Sequence, residues 1–110
     1  MRVLCLDVGE RRIGLAISDA GGTLATPIGY IQRIRLRVDI QRVLEHARKR
    51  EADAIVAGLP ISLNGSIGPQ AKRVEGFLKA LREESDLPVD TMDERFSTAE
   101  AERLLRQAGR

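Results

Sequence analysis

Acidic residues stand at the ends of two apolar segments that lie far apart in the chain. Asp7 ends the segment that begins at Val3, and Asp93 and Glu94 follow the apolar stretch 87–92. If both segments are strands of one sheet, their carboxylates converge at its edge and repel one another unless a cation is bound. Carboxylate oxygens are the ligands that Mg²⁺ and Mn²⁺ prefer. The pattern therefore predicts a divalent-metal site suited to hydrolysis of phosphodiester bonds.

The turn that follows Asp7 contains two arginines and is bordered by glycines. Arg11 and Arg12 are placed to hold a phosphate beside a metal, because guanidinium groups bind phosphate oxygens through paired hydrogen bonds. Charged residues are equally typical of an exposed turn. A second interpretation is that Gly9 and Gly14 let backbone amides cradle a nucleotide phosphate, as in hairpin-type phosphate loops.

Two further candidates for substrate binding lie later in the chain. Asn64, in loop 59–68, is a hydrogen-bond donor to phosphate or sugar, although Asn64-Gly65 also fits a simple turn. Arg95 either pairs with the scissile phosphate or neutralises the acids that precede it. Catalysis by a serine or cysteine nucleophile is disfavoured, because His46 is the only histidine. One cysteine and one histidine do not make a zinc site either.

The composition of the 110 residues is that of one ordinary globular domain, with 43% hydrophobic and 31% charged residues. No apolar run approaches the ~20 residues that span a bilayer, and no export signal is evident, so we expect a cytoplasmic protein. The net charge is only +2. Segment 33–50 is nevertheless strongly basic, as either a nucleic-acid contact or a solvated helix face. The aromatic content of 3% argues against a stacking platform for bases.

Hydrophobic periodicity predicts the elements that position these residues. Strands over 2–8, 12–19 and about 23–32 are joined by short glycine turns, which indicates antiparallel pairing, and Pro27 places the third strand at an edge or bends it. Helices are predicted over 37–50 and from Pro69 through Leu81, with buried strands at 54–57 and 87–92. Ser97 begins a last helix with a capping box. The order β-β-β-α-β-α-β-α predicts an α/β fold, in which a mixed sheet has helices on both faces.

Three motifs in this order resemble the YqgF family, also called RuvX. They are Leu6-Asp7-Val8-Gly9-Glu10-Arg11-Arg12-Ile13-Gly14-Leu15-Ala16 with Ser18-Asp19, then Gly58-Leu59-Pro60 with Asn64-Gly65-Ser66 and Gly68-Pro69-Gln70-Ala71, and finally Asp93-Glu94-Arg95-Phe96-Ser97-Thr98-Ala99-Glu100-Ala101. The resemblance implies a ribonuclease H-like fold and a cytoplasmic bacterial nuclease, proposed to mature the 5′ end of pre-16S ribosomal RNA. The family is also described as Holliday junction resolvases, by analogy with its structural relatives.

The resemblance also implies a set of catalytic residues. Asp7 and Glu94 correspond to the family's metal-binding catalytic acids, and a third acid is expected on a closing C-terminal helix. The sequence ends at Arg110 without an evident substitute for that acid. We therefore expect residues 1–110 to form a single ribonuclease H-like nuclease domain without the closing helix. Either the tail is disordered or removed, or this polypeptide lacks a full active site and is inactive in this form. The absent helix would also leave apolar surface uncovered, which favours a homodimer.

Four functions are compatible with these residues. The first is a metal-dependent endonuclease of precursor ribosomal RNA, and the second cuts four-way DNA junctions as a symmetric dimer. The third is a non-catalytic RNA- or ribosome-binding module that retains the fold. The fourth, a phosphotransferase of the actin and sugar-kinase type, ranks last because the chain is too short for a two-lobed cleft.

Overall fold

The computed structural model describes residues 2–18, 25–59 and 68–93, with side chains as far as Thr91. Five strands and two helices lie within these ranges. They are β1 (Val3–Val8), β2 (Arg12–Ser18), β3 (Thr26–Gln32), α1 (Leu36–Lys49), β4 (Ala54–Leu59), α2 (Pro69–Glu84) and β5 (Val89–Asp93). Neither described helix has the length and apolarity that crossing a bilayer requires.

The five strands form one mixed sheet in the order β3-β2-β1-β4-β5. β1 lies in the middle, antiparallel to β2 and parallel to β4. β2 and β3 are antiparallel, whereas β4 and β5 are parallel. The predicted antiparallel meander followed by parallel βα units is therefore confirmed. A crossover through a helix is the usual way to join parallel neighbours, and α2 joins β4 to β5 in this way, whereas α1 connects β3 to β4, which are not adjacent in the sheet.

The main hydrophobic core lies on one face of this sheet. Leu4, Leu6 and Val8 of β1 alternate toward that face, and α1 and α2 cover it with the buried side chains Ile40, Val43, Ala47, Ala71, Val74, Phe77, Leu78 and Leu81. Burial of each large aliphatic or aromatic side chain stabilises the fold by about 1.5–3 kcal/mol. Both described helices therefore share one face. The predicted last helix lies outside the described residues, so helices on both faces stay a prediction.

The side chains that alternate with these core residues along the central strands lie on the opposite face of the sheet. Val3, Ala54 and Val56 form a small buried cluster there, with Cys5 packed against it. Cys5 is thus a partly buried member of an apolar cluster. Because side chains alternate along a strand, Asp7 belongs to this second face.

The third strand has the irregular geometry that Pro27 predicts. β3 is at one end of the sheet order, and its register shifts where Leu15 pairs with Gly29 while Ala16 pairs with Pro27. Ile28 is therefore the additional residue of a β-bulge. Gly29 has a φ of 126°, a conformation that favours glycine.

Helix α1 ends in a Schellman arrangement that lacks the usual glycine. The Ala52 amide donates to the Ala47 carbonyl (2.9 Å) and the Glu51 amide donates to the Arg48 carbonyl (3.1 Å). Glu51 occupies the left-handed position with a φ of 55°, which costs about 1 kcal/mol for a residue with a Cβ atom. The chain then enters β4, which continues to Leu59, two residues beyond its predicted end at 57.

Candidate active site

Asp7 lies near the carboxyl end of the central strand, on the face away from α1 and α2. Its side chain is exposed, and within the described residues its carboxylate makes no hydrogen bond or ion pair. The strand therefore presents to solvent a carboxylate that no group in the described ranges neutralises. Such a group can bind a cation or orient a water molecule.

The parallel strands bring their carboxyl ends to the same edge as Asp7. Leu6 pairs with Ala57, and β4 continues until Leu59 pairs with Asp93, the last residue of β5. β5 therefore ends, at Asp93, at the edge of the sheet where β1 delivers Asp7. Glu94, Arg95 and Asn64 lie outside the described residues, so their predicted roles are not tested. Across the described parts of the chain, no three acidic, histidine or cysteine residues cluster closely enough to hold a metal ion.

A tight turn joins β1 to β2 directly after Asp7. The Gly9 amide donates to the Arg12 carbonyl (2.9 Å), and a Cβ atom at position 9 would lie 2.7 Å from that carbonyl oxygen. Only glycine fits this approach without a shift of the backbone. Glu10 and Arg11 form the exposed tip, and Arg12 is exposed at the start of β2. Both predicted phosphate-binding arginines, Arg11 and Arg12, are therefore accessible to solvent in the turn region that follows Asp7.

Arg33 anchors this turn from the end of β3. Its Nη1 donates to the Gly9 carbonyl (3.1 Å), and its backbone amide donates to the Arg11 carbonyl (2.8 Å). The guanidinium carbon also lies 5.2 Å from the centre of the Phe77 ring in α2. Arg33 therefore connects the turn after Asp7 to Phe77 of the hydrophobic core.

A buried carboxylate fixes Arg33 in this position. Asp39 of α1 has a side chain only 1% exposed, and its Oδ2 lies 3.2 Å from the Nε of Arg33. Its other oxygen accepts a hydrogen bond from the Ile34 amide (3.0 Å). A buried charge requires this degree of compensation. Asp39 therefore holds Arg33 in place, and Arg33 in turn contacts the turn after Asp7.

The sequence interpretation missed the Arg33–Asp39 pair because it counted both residues as surface charges of segment 33–50. A signal was available, since Asp39 precedes Val43 by four residues and so falls on the apolar face of α1. Within the same segment, Arg42 also turns inward and donates to the Gln32 carbonyl (3.1 Å). The exposed cations of the predicted basic patch are Arg35, Arg37, Arg48 and Lys49.

A row of residues crosses three strands on the face that carries Asp7. Asp7 pairs with Gly14 of β2, and Gly14 pairs with Tyr30 of β3. Directly paired residues of antiparallel strands project to the same side, so Asp7 and Tyr30 flank a position without a side chain. The Tyr30 side chain is 58% exposed, and the Arg12 guanidinium carbon lies 5.1 Å from its ring centre.

His46 of α1 is half-buried, and its pKa is perturbed. Partial burial lowers its pKa from the ordinary value of 6.5, and the positive charges of Arg50, Lys49 and Arg42 lower it further. Its buried Nδ1 atom has no hydrogen-bond partner within the described residues. His46 belongs to α1, which packs on the face of the sheet opposite to Asp7.

Comparison with known proteins places these observations in a family. A family model described as "RuvX: Holliday junction resolvase" matches residues 1–110. A relative from Synechococcus sp. (strain JA-2-3B'a(2-13)), named "Putative pre-16S rRNA nuclease", is 50% identical over 109 residues. A relative of the same name from Desulforudis audaxviator (strain MP104C) is 45% identical over 105 residues. The matches cover 99% and 96% of this chain, but only 64% and 74% of those relatives.

Solved structures support the fold. RuvC of T. thermophilus, in complex with a Holliday junction substrate, matches with a TM-score of 0.59 at 15% identity, over 86% of this chain and 66% of that one. The Fowlpox virus resolvase, also solved with junction DNA, matches with a TM-score of 0.50 at 14% identity, over 98% of this chain and 70% of that one. At these identities the likeness concerns the fold, which is ribonuclease H-like as predicted. The family model, which matches residues 1–110, and the relative at 45% identity show that this chain belongs to the RuvX family.

Proposed function

We propose that this chain provides the nuclease site of a metal-dependent endonuclease that hydrolyses phosphodiester bonds in the 5′ processing of pre-16S ribosomal RNA in the cytoplasm. The observation that carries this proposal is the exposed Asp7 carboxylate at the edge of the sheet where β5 leads into Asp93-Glu94. The names of the curated relatives supply the substrate.

Glu94 is proposed as the second acidic ligand. Glu94 directly follows β5, which runs parallel to β4 and ends at Asp93 at the edge of the sheet where β1 delivers Asp7. A closing helix beyond residue 110 is proposed to supply the third acid.

The described residues fit part of a Mg²⁺ or Mn²⁺ site. Asp7 offers a hard oxygen donor with no competing partner within the described residues, and Gly14 leaves room beside it, since a Cβ atom there would lie 3.5 Å from the Cβ of Asp7. A bound divalent ion would lower the pKa of a water molecule and stabilise charge on the leaving oxygen. Asp7 would hold the ion, and Arg11 and Arg12 would bind neighbouring phosphates. Asn64 and Arg95 are further proposed substrate contacts.

The test is cleavage of a precursor rRNA fragment in the presence of Mg²⁺ or Mn²⁺. Asp7→Asn and Glu94→Gln should each reduce the cleavage rate by at least about 100-fold, because each removes a charge that the proposed site requires. Glu75→Gln is the matched control, since Glu75 is an exposed carboxylate of α2 on the opposite side of the sheet. Unchanged cleavage by Asp7→Asn would show that the site is wrongly assigned.

A second candidate function is cleavage of four-way DNA junctions, which the description of the family model favours. A resolvase requires two active sites related by a two-fold axis, so it should form a homodimer. Sedimentation of the chain with junction DNA tests this function, and a strictly monomeric complex would contradict it. Salt-sensitive RNA binding without any cleavage would instead indicate a non-catalytic binding module.

A further inference from the structure

We infer that Tyr30 is the stacking platform for an unpaired nucleobase next to the proposed metal site at Asp7. The inference deepens the proposed nuclease function and rests on it. It also revises the interpretation drawn from composition, in which an aromatic content of 3% excluded such a platform. One exposed ring beside the acidic edge is sufficient for one base.

Position is the first argument for this platform. Asp7, Gly14 and Tyr30 are direct partners across β1, β2 and β3. Neighbouring strands lie about 4.8 Å apart, which puts Tyr30 about 10 Å from Asp7 along the sheet surface. Gly14 is partly buried and carries no side chain, so a ligand that lies across the row meets backbone between the carboxylate and the ring. A bulkier residue at position 14 would separate the two groups.

Exposure and charge are the second argument. A tyrosine side chain that is 58% exposed leaves much of its apolar ring in water, where a nucleobase could cover it. Arg12 lies over the same ring at 5.1 Å and adds a positive charge next to it. Aromatic rings beside cations are the usual means by which proteins bind single-stranded nucleic acid, because every base has a π face and every nucleotide has a phosphate.

The geometry also selects among nucleic acids. Bases in a duplex are stacked on one another and offer only their edges, so a ring on an open sheet surface can stack only with a base that is unpaired or turned outward. The substrate at this position is therefore single-stranded. Contacts to the phosphates by Arg11 and Arg12 would bind duplex and single strand alike.

Intrinsic fluorescence provides a direct measurement, since the chain contains one tyrosine and no tryptophan. All tyrosine emission of the 110-residue chain therefore comes from Tyr30. The chain is titrated, in EDTA to prevent cleavage, with a single-stranded oligoribonucleotide, with an abasic strand of the same length, and with a duplex. Free N-acetyltyrosinamide, titrated in parallel, gives the inner-filter correction. Stacking should quench the emission with the single strand alone.

Variants test the energetic contribution, through the Kd for a fluorescently labelled single strand. Tyr30→Ala should raise this Kd about five- to tenfold, the lower part of the range for loss of one base–aromatic stack, and should leave the Kd for the abasic strand unchanged. Tyr30→Phe keeps the ring and should bind as the parent does. Ile34→Ala is the matched control, because Ile34 is a 67% exposed hydrophobic residue outside the row.

The outcomes separate this inference from the proposed nuclease function. If the single strand does not quench Tyr30 beyond the corrected control, or Tyr30→Ala binds it as tightly as the parent, the platform is refuted, even when Asp7→Asn abolishes cleavage. Base-dependent quenching with the expected Kd change supports the platform, even when no cleavage occurs. Far-UV circular dichroism of Tyr30→Ala confirms folding, and the titration of the parent protein decides the question without any variant.

Discussion

Removal of either partner of the buried Arg33–Asp39 pair should destabilise the protein, and by unequal amounts. Loss of one member of a buried ion pair costs about 3–5 kcal/mol, because the remaining charge is left uncompensated. The Asp39 side chain is 1% exposed, whereas the Arg33 side chain is 17% exposed and retains the Gly9 carbonyl as an acceptor. Asp39→Ala should therefore cost about 3 kcal/mol, and Arg33→Met about 4–5 kcal/mol.

Equilibrium unfolding in urea, followed by far-UV circular dichroism, measures these costs. With a slope of about 1.5 kcal/mol per molar urea, Asp39→Ala should lower the midpoint by about 2 M. Glu45→Ala, which removes an exposed carboxylate from the same helix, should stay within about 0.5 kcal/mol of the parent. The double variant Arg33→Met/Asp39→Leu should be more stable than Arg33→Met alone, because no unpaired charge remains buried.

If Asp39→Ala loses more free energy of unfolding than Arg33→Met does, burial of the charge that remains does not determine the loss of stability. A loss below about 1 kcal/mol for Asp39→Ala would show that the pair contributes no more than an exposed ion pair does.

Three further predictions concern the turn, the end of α1 and the pH dependence of stability. Gly9→Ala should lower the free energy of unfolding by about 1–3 kcal/mol, because its Cβ atom would meet the Arg12 carbonyl at 2.7 Å. Gly76→Ala in α2 has open space around it and should raise the free energy of unfolding by about 0.5–1 kcal/mol. Thermal unfolding compares the two variants. Glu51→Gly should stabilise by about 1 kcal/mol in urea unfolding, because glycine adopts a φ of 55° without strain. The pKa of His46 is lowered in the folded protein, so the unfolded state binds more protons as the pH falls through 6.5. Stability should therefore decline below that pH, and urea unfolding between pH 5.5 and 7.5 should show a shallower decline for His46→Gln.

Strong periodicity is the reason why most of the fold could be predicted from the sequence. Helix α1 was predicted over 37–50 and spans Leu36–Lys49, because its apolar residues recur at helical spacing beside a charged face. The strand predicted over 54–57 continues to Leu59, because β5 pairs with it as far as Asp93. The β-strand propensity of a glycine such as Gly58 is low, but hydrogen bonding to a neighbouring strand outweighs it.

The site was predictable in part, for a similar reason. Asp7 could be placed at a sheet edge because an apolar strand precedes it, and the parallel topology brings β5 to that edge. The contacts of Arg33 could not be predicted from charge counts, since they join β3, α1 and the turn after β1. Tyr30 was overlooked because its position beside Asp7 depends on two strand registers, which composition does not contain.

The irregular outer strand has a consequence for how copies of this chain can meet. β3 terminates the sheet, and an outer strand with regular hydrogen-bonding groups would invite a second molecule to extend the sheet into cross-β assemblies. Pro27 lacks an amide hydrogen, and the bulge at Ile28 disturbs the spacing of the remaining donors. Addition of a second molecule to the β3 edge of the sheet is therefore disfavoured. We expect any dimer to form through side chains on another surface.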